Sequence, residues 1–396
     1  MSIKENVKKF LKLCGIEKWV YLLVYMIKSI PYYLFRICPI KNNKIVFVSF
    51  RGKYGGDPKY VSDKMYVHDS SVDIVWLLRD SQECQDSHVR RVKYDSLEAI
   101  YELVTAKVWV DDCRKSGEVR KRKGQFYIGT GHGGIPMKKI EKDAEDKLPV
   151  SYLLWAQNDS KMTDLKPSNS QWRNDMLRRA FWYDGEILNC GLPRVEHLIK
   201  NRDKIKQLVR VKYGINENER LYLYAPTFRN SNDINIYDLD FVRVGKALNK
   251  RFGDGWIGMR RLHPNCNNVE KMDIPGIVID MTDYPDMEEL MMACDLLITD
   301  YSSCIFETFF LDIPAFIYAT DIKEYTEKER GLYWDINTFP FLKATTNEEL
   351  IEGVLNYNSE IYAEELNELK KEIGLFDDQT HATEILVNRI LEEMKK

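Results

Sequence analysis

The sequence predicts an α/β protein with two domains, each built around a parallel sheet. Short apolar runs alternate with longer stretches of helical spacing along most of the chain. Several of these runs end in glycine- or proline-rich turns, and 396 residues are enough for two buried cores. The runs fall into two series. Residues 45–50, 72–78, 106–110, 125–128, 152–156 and 186–189 form the first, and residues 221–225, 255–259, 277–280, 296–299 and 315–318 the second. Runs that are apolar throughout, rather than alternating, are expected of strands covered on both faces, as in βαβ units.

The elements divide the chain into a segment 1–43, a domain 44–205, a domain 206–379 and a tail 380–396. The first 44 residues carry nine lysines and arginines against two glutamates, while the whole chain has a net charge of −3. Within that basic stretch lie Trp19-Val20-Tyr21-Leu22-Leu23-Val24-Tyr25-Met26-Ile27 and Ile30-Pro31-Tyr32-Tyr33-Leu34-Phe35. The first run falls far short of the roughly 20 apolar residues that span a bilayer, and no small-residue cleavage site follows it. Aromatic residues among lysines fit a helix lying in the headgroup layer; a helix packed on the protein's own core with a solvated lysine face has the same pattern. The join between the domains is expected in the charged stretch 200–219, which also suits a long helix. In the tail, Ile385, Leu386, Ile390 and Leu391 have the spacing of an amphipathic helix.

The near-neutral charge excludes a nucleic-acid-binding protein of the basic kind. Eight scattered cysteines without a Cys-x-x-Cys pair exclude a zinc ribbon or a disulfide framework and fit a reducing compartment.

Four segments carry chemistry. Ser49-Phe50-Arg51-Gly52-Lys53-Tyr54-Gly55-Gly56-Asp57-Pro58-Lys59-Tyr60 is a glycine-rich turn between a strand and a helix. It admits a phosphate at the helix start, or is an ordinary βα turn. In Gly129-Thr130-Gly131-His132-Gly133-Gly134-Ile135-Pro136-Met137-Lys138-Lys139, four glycines clear space around one imidazole at a strand end. A second imidazole, His263 in Arg260-Arg261-Leu262-His263-Pro264, occupies the matching place in the second half. Histidine exchanges protons near neutral pH, and ligands of open α/β sheets bind outside the carboxyl ends of the strands. Tyr224-Ala225-Pro226-Thr227-Phe228-Arg229 runs a strand into a hydroxyl and a guanidinium suited to phosphate oxygens. Thr299-Asp300-Tyr301-Ser302-Ser303 ends another strand with two serines that either cap a helix or help it hold an anion.

These segments, in this order and with Arg330-Gly331-Leu332-Tyr333 downstream, resemble the CDP-glycerol glycerophosphotransferase family of teichoic acid and capsule synthesis. The likeness covers most of residues 44–335: Ser-Phe-x-Gly-Lys with Pro-Lys-Tyr, a His-Gly element ending in Lys-Lys, Tyr-Ala-Pro-Thr-Phe-Arg, Arg-x-His-Pro, Thr-Asp-Tyr-Ser-Ser and Arg-Gly-x-Tyr. The chain departs from the family where Gly131 replaces tryptophan, Gly134 replaces threonine, Ile135 is inserted, and Glu307 stands for aspartate.

The resemblance implies a GT-B-like fold, with two facing doubly wound (Rossmann-like) domains behind an N-terminal amphipathic helical segment. It implies attack by an acceptor hydroxyl on the β-phosphorus of CDP-glycerol with release of CMP, His132 acting as general base and His263 serving catalysis and the donor diphosphate. Thr227, Arg229, Ser302, Ser303 and Arg330 are the further donor-binding residues it implies. Gly52, Lys53, Lys59, Gly133 and Lys138 are expected on the acceptor or phosphate loops. No cofactor or metal is expected. The expected partners are a CDP-polyol donor, a lipid-linked polymer acceptor and the inner-leaflet surface, with no nucleic acid, and the expected location is peripheral, on the cytoplasmic face of a bacterial membrane. CDP-ribitol and nucleotide sugars stay open as donors, as does the choice between primase and polymerase. A non-catalytic scaffold of the same fold predicts loss of the two histidines, and both are present.

Overall fold

The computed structural model describes residues 16–229, 235–263, 266, 269–328 and 331–396. They form two compact units. The first contains the described residues up to His132, Ile140–Pro193 and Phe376–Lys396; the second contains Gly133–Lys139 and Arg194–Leu375.

The first unit holds a seven-stranded sheet: β1 (Lys41–Val48), β2 (Asp73–Leu78), β3 (Arg90–Lys93), β4 (Ala106–Asp111), β5 (Phe126–Gly129), β6 (Leu165–Ser168) and β7 (Glu186–Asn189). Its order is β3-β2-β1-β4-β5-β6-β7, parallel at each pairing. Side chains alternate between faces along each strand. Ile45, Phe47, Ile74, Trp76, Val108 and Val110 pack on one face against Val61 and Met65 of the helix Gly56–His68. Val46, Val48, Val75, Leu77 and Trp109 pack on the other against Ala99, Leu103 and Val104 of the helix Leu97–Thr105. Both faces are therefore core, which is why these strands read as unbroken apolar runs.

The second unit has a six-stranded sheet of β8 (Arg220–Ala225), β9 (Trp256–Arg260), β10 (Val278–Asp280), β11 (Leu296–Thr299), β12 (Ala315–Tyr318) and β13 (Leu342–Ala344). Its order is β10-β9-β8-β11-β12-β13, again parallel. Val244 and Leu248 of the helix Phe241–Phe252, with Leu350 and Val354 of the helix Asn347–Asn356, cover one face. In each sheet the winding reverses beside the first strand, between β1 and β4 and between β8 and β11. Such reversals open a crevice at the carboxyl ends of the strands.

Two doubly wound parallel-sheet units thus agree with the fold class read from the sequence. One strand assignment is corrected: residues 152–156 belong to the helix Val150–Met162, which starts directly after Pro149. A five-residue apolar run does not distinguish strand from helix, and the polar turn that follows it continues the helix. The helix Pro193–Tyr213 is unbroken across residue 205, and the change of unit falls at its first turn. The helix Ala382–Lys395 returns to the first unit and buries Ala382, Leu386, Val387 and Ile390 there.

Ahead of β1 lie the helices Glu17–Lys28 and Ile30–Leu34. Tyr25 and Tyr32 face the first unit and are buried. The opposite face is apolar and open, with Trp19 69%, Met26 64% and Leu34 64% exposed. Taken as one stretch, Glu17–Ile37 is long and apolar enough to cross a membrane by length and composition, which the run 19–27 alone is not.

Candidate functional site

In the first unit, β1 leads into the turn Ser49–Lys53, closed by Lys53 N donating to Ser49 O at 2.8 Å. Phe50 (φ 41°), Arg51 (58°) and Gly52 (112°) are consecutive left-handed residues. Such geometry costs each of the two non-glycine residues about 1–2 kcal/mol and persists only where its surroundings enforce it. Here the enforcing group is Asp112, just beyond β4. One carboxylate oxygen accepts from Ser49 Oγ at 2.5 Å and the other from Phe50 N at 2.8 Å. Gly52 is required as glycine: a Cβ there would lie 2.7 Å from Arg79 Cγ.

His132 follows β5 and is exposed. Its Nδ1 lies 3.2 Å from the carbonyl of Asp112. A carbonyl only accepts, so this contact puts the proton on Nδ1 and leaves Nε2 as the lone-pair nitrogen of the neutral ring. The Phe50 ring lies 5.9 Å from the imidazole. Asp112 therefore positions both the turn after β1, with its carboxylate, and the histidine after β5, with its backbone. All three groups stand at the carboxyl ends of neighbouring strands, beside the reversal. Burial pushes neighbouring Asp111 up to about 7, against the pull of Lys115 Nζ at 2.6 Å. Gly52 is buried and Lys53 exposed, while Lys59 Nζ sits 5.6 Å over the Tyr54 ring.

The second unit assembles its own site at the reversal between β8 and β11. Thr227 N donates to both oxygens of Asp300, at 2.9 and 3.1 Å. Thr227 Oγ1 is buried and has no partner among the described residues. Ser302 Oγ accepts from Cys304 N at 3.4 Å and caps the 3₁₀ helix Ser303–Phe310. The segment Gly133–Lys139 lies along 331–334, with Lys139 N donating to Gly331 O at 2.7 Å and Trp334 Nε1 to Pro136 O at 3.0 Å. This seats Gly133 so that a Cβ would come 3.6 Å from Ser303 Oγ, and Lys138 Nζ lies 5.5 Å over the Tyr325 ring. His263 is exposed after β9, its ring 5.6 Å from that of Phe228.

Arg229 is placed as the clamp of this region. It is 6% exposed; its guanidinium donates to Asp321 Oδ2 and Asp300 Oδ2, each at 2.7 Å, and to Thr227 O at 2.5 Å. Tyr301 and Tyr325, stacked at 3.8 Å, present their rings to it at 4.7 and 4.8 Å. Two carboxylates neutralise this buried charge, so Arg229 holds Thr227 and the Asp300 turn in register. Glu307 lies 3.9 Å from Arg194. Arg330 lies outside the described residues. The sequence reading passed over Asp112, Asp300 and Asp321; what distinguishes them is that each ties two separate strand ends together, which no local pattern reveals.

The model of the CDP-glycerol:poly(glycerophosphate) glycerophosphotransferase family matches residues 30–392. A teichoic acid poly(glycerol phosphate) polymerase of Staphylococcus epidermidis is 30% identical over 317 residues, 74% of this chain and 42% of that protein. One of Bacillus spizizenii is 27% identical over 349 residues, 84% of this chain and 88% of its own length. The chain thus spans less than half of the first relative and most of the second. The solved wall teichoic acid polymerase TagF shares the fold, with a TM-score of 0.81 and 24% identity over 96% of this chain and 98% of that one. With the family model matching nearly its whole length, the chain belongs to the CDP-glycerol:poly(glycerophosphate) glycerophosphotransferase family.

Proposed function

We propose that this protein transfers glycerol phosphate from CDP-glycerol to a hydroxyl of a lipid-linked teichoic acid or capsule acceptor, releasing CMP. The acceptor oxygen attacks the β-phosphorus, an O–P bond forms, and the bond from that phosphorus to the bridging oxygen breaks, leaving CMP. His132 Nε2 takes the hydroxyl proton as the new bond forms. The observation that carries this reading is the Nδ1 contact of His132 with the Asp112 carbonyl, because it presets the tautomer a base needs. Thr227, Ser302 and Ser303, with His263 and Arg330, are the proposed donor-binding groups, and the buried Thr227 Oγ1, without a partner among the described residues, supports that assignment. Charge gathers on the bridging oxygen as CMP leaves, where preset donors lower the barrier. Gly52, Lys53, Lys59, Gly133 and Lys138 remain the proposed acceptor or phosphate loops. Peripheral attachment to the cytoplasmic membrane face is supported by the open apolar face of residues 17–37 and its basic neighbours.

The test is His132→Ala with CDP-glycerol and a lipid-linked acceptor, followed by mass spectrometry of the acceptor. Transfer is expected to fall about 10²–10⁴-fold while donor binding survives. Near-full transfer by the variant would remove the base assignment. CDP-ribitol offered in parallel identifies the polyol from the mass added.

A further inference from the structure

We infer that Arg261 is the cation that grips the donor diphosphate at the carboxyl end of the second sheet, while Arg229 organises the site without reaching the ligand. The inference rests on the assignment of a cytidine diphosphate donor to this unit. Arg261 directly follows β9, and its backbone N donates to Tyr224 O of β8 at 2.9 Å. It thus stands beside the strand that leads, three residues on, to Thr227, and two residues before His263.

Three arginines at this sheet show how differently they are satisfied. Arg260 pairs with Asp280, which is 1% exposed, at 2.9 Å. Arg229 is held by Asp300 and Asp321. Arg261 has neither arrangement. Its Nε is fully buried and has no hydrogen-bond partner among the described residues. Its Nη atoms reach only the Met287 sulfur at 3.5 Å and the Tyr284 carbonyl at 3.4 Å, both at the outer limit of a hydrogen bond. Glu288 and Asp286 act on it only through space, and burial pulls its guanidinium below the usual arginine range. Glu288 is also a poor counterion: burial, with the charges of Asp286 and Glu307 adding, pushes its carboxyl up to about 8. What negative charge this acid and Glu307 do carry has Arg194 at 3.9 Å from each.

A buried guanidinium left short of both charge and hydrogen bonds is costly unless an anion completes it. Thr227 Oγ1 is a second buried group without a partner among the described residues, at the end of the neighbouring strand β8. A planar guanidinium fork suits the oxygens of a diphosphate, and a hydroxyl can donate to the same group.

Calorimetric titration of the full chain with CDP tests this. Arg261→Gln is expected to weaken CDP at least about 30-fold, as for loss of one partner of a buried charge-assisted contact. Its thermal unfolding without ligand is expected to stay level or rise, because the variant removes an uncompensated charge. Arg261→Lys keeps the charge but loses the fork, and is expected to weaken CDP about 5–10-fold; it serves as the readout if the glutamine variant does not fold. CDP affinity within about threefold of wild type in either folded variant overturns the inference, as does a CDP loss matched by a lower unfolding temperature without ligand. Wild-type protein that binds no CDP overturns the donor assignment itself, a result separable from unchanged binding in the variants.

Discussion

Asp112 shows how much of the candidate site depends on one buried side chain. It is 4% exposed, and it accepts from Ser49 Oγ and Phe50 N while its carbonyl holds His132 Nδ1. Removing the carboxylate orphans the buried Ser49 hydroxyl and the partly buried Phe50 N–H, and frees a turn with consecutive left-handed residues. Asp112→Ala is therefore expected to cost about 2–4 kcal/mol in denaturant unfolding, with Asp112→Asn costing less because one acceptor remains. Transfer should fall in the alanine variant even where the protein is fully folded, since the freed turn no longer holds Phe50 beside the imidazole, although the backbone carbonyl at 112 still accepts from Nδ1. A folded alanine variant with normal turnover would separate the turn from catalysis. At this scale the sequence was legible only in part. His132 and the serines stood out because glycines and a strand end surround them. Arg229 and Arg261 look alike in sequence, and only burial and partners separate a clamp from a cation still short of one. Gly131 sits at φ 71°, a backbone conformation in which a bulky side chain is disfavoured and glycine is not.

At the scale of elements, the legible strands were those buried on both faces, because their composition is continuous. β11 and β12 are such strands and fall on the runs the sequence marked, whereas β7, partly exposed at the sheet edge, was marked as well. β6 was invisible because Lys166 and Pro167 interrupt it, and its ammonium is the reason it matters. Lys166 is 4% exposed, with Nζ 5.4 Å from both the Phe181 and Tyr183 rings. Burial, then the nearby Arg114 charge, pulls it from 10.5 down to about 7. The unfolded chain binds this proton more tightly than the folded one, so stability rises with pH across the window between those two values. The cost is complete below about 7 and fades as pH climbs toward 10.5. Lys166→Met is therefore expected to exceed wild type in stability most at pH 6. That advantage should shrink by roughly 1 kcal/mol per unit between about pH 7 and 9, near the limit for one proton. Urea midpoints of both proteins at four pH values measure it; a difference independent of pH would mean the ammonium stays charged inside the fold.

For the whole molecule, the open question is what covers residues 17–37. Soluble proteins seldom expose a contiguous row such as Trp19, Leu23, Met26, Ile27, Ile30 and Leu34. Lys18, Lys28 and Arg36 lie among them, and the helix breaks at Ser29, whose N–H bonds back to Tyr25 O at 2.9 Å. Because Tyr25 and Tyr32 anchor one face on the first unit, a helix lying along the headgroups keeps that anchor, whereas a span through the bilayer would have to release it. Two forces then contribute: apolar burial, insensitive to salt, and attraction to anionic lipid, which fades as the screening length drops to about 4 Å near 0.5 M salt. Leu23→Glu/Met26→Glu is expected to lower flotation with phosphatidylglycerol vesicles at least about tenfold, because two large side chains leave the acyl boundary and two anions meet an anionic surface. Wild type at 0.5 M salt should lose only part of its binding. Release of the wild type by salt alone would assign attachment to charge rather than to the apolar face. Unchanged flotation of the double variant would move the contact elsewhere on the chain.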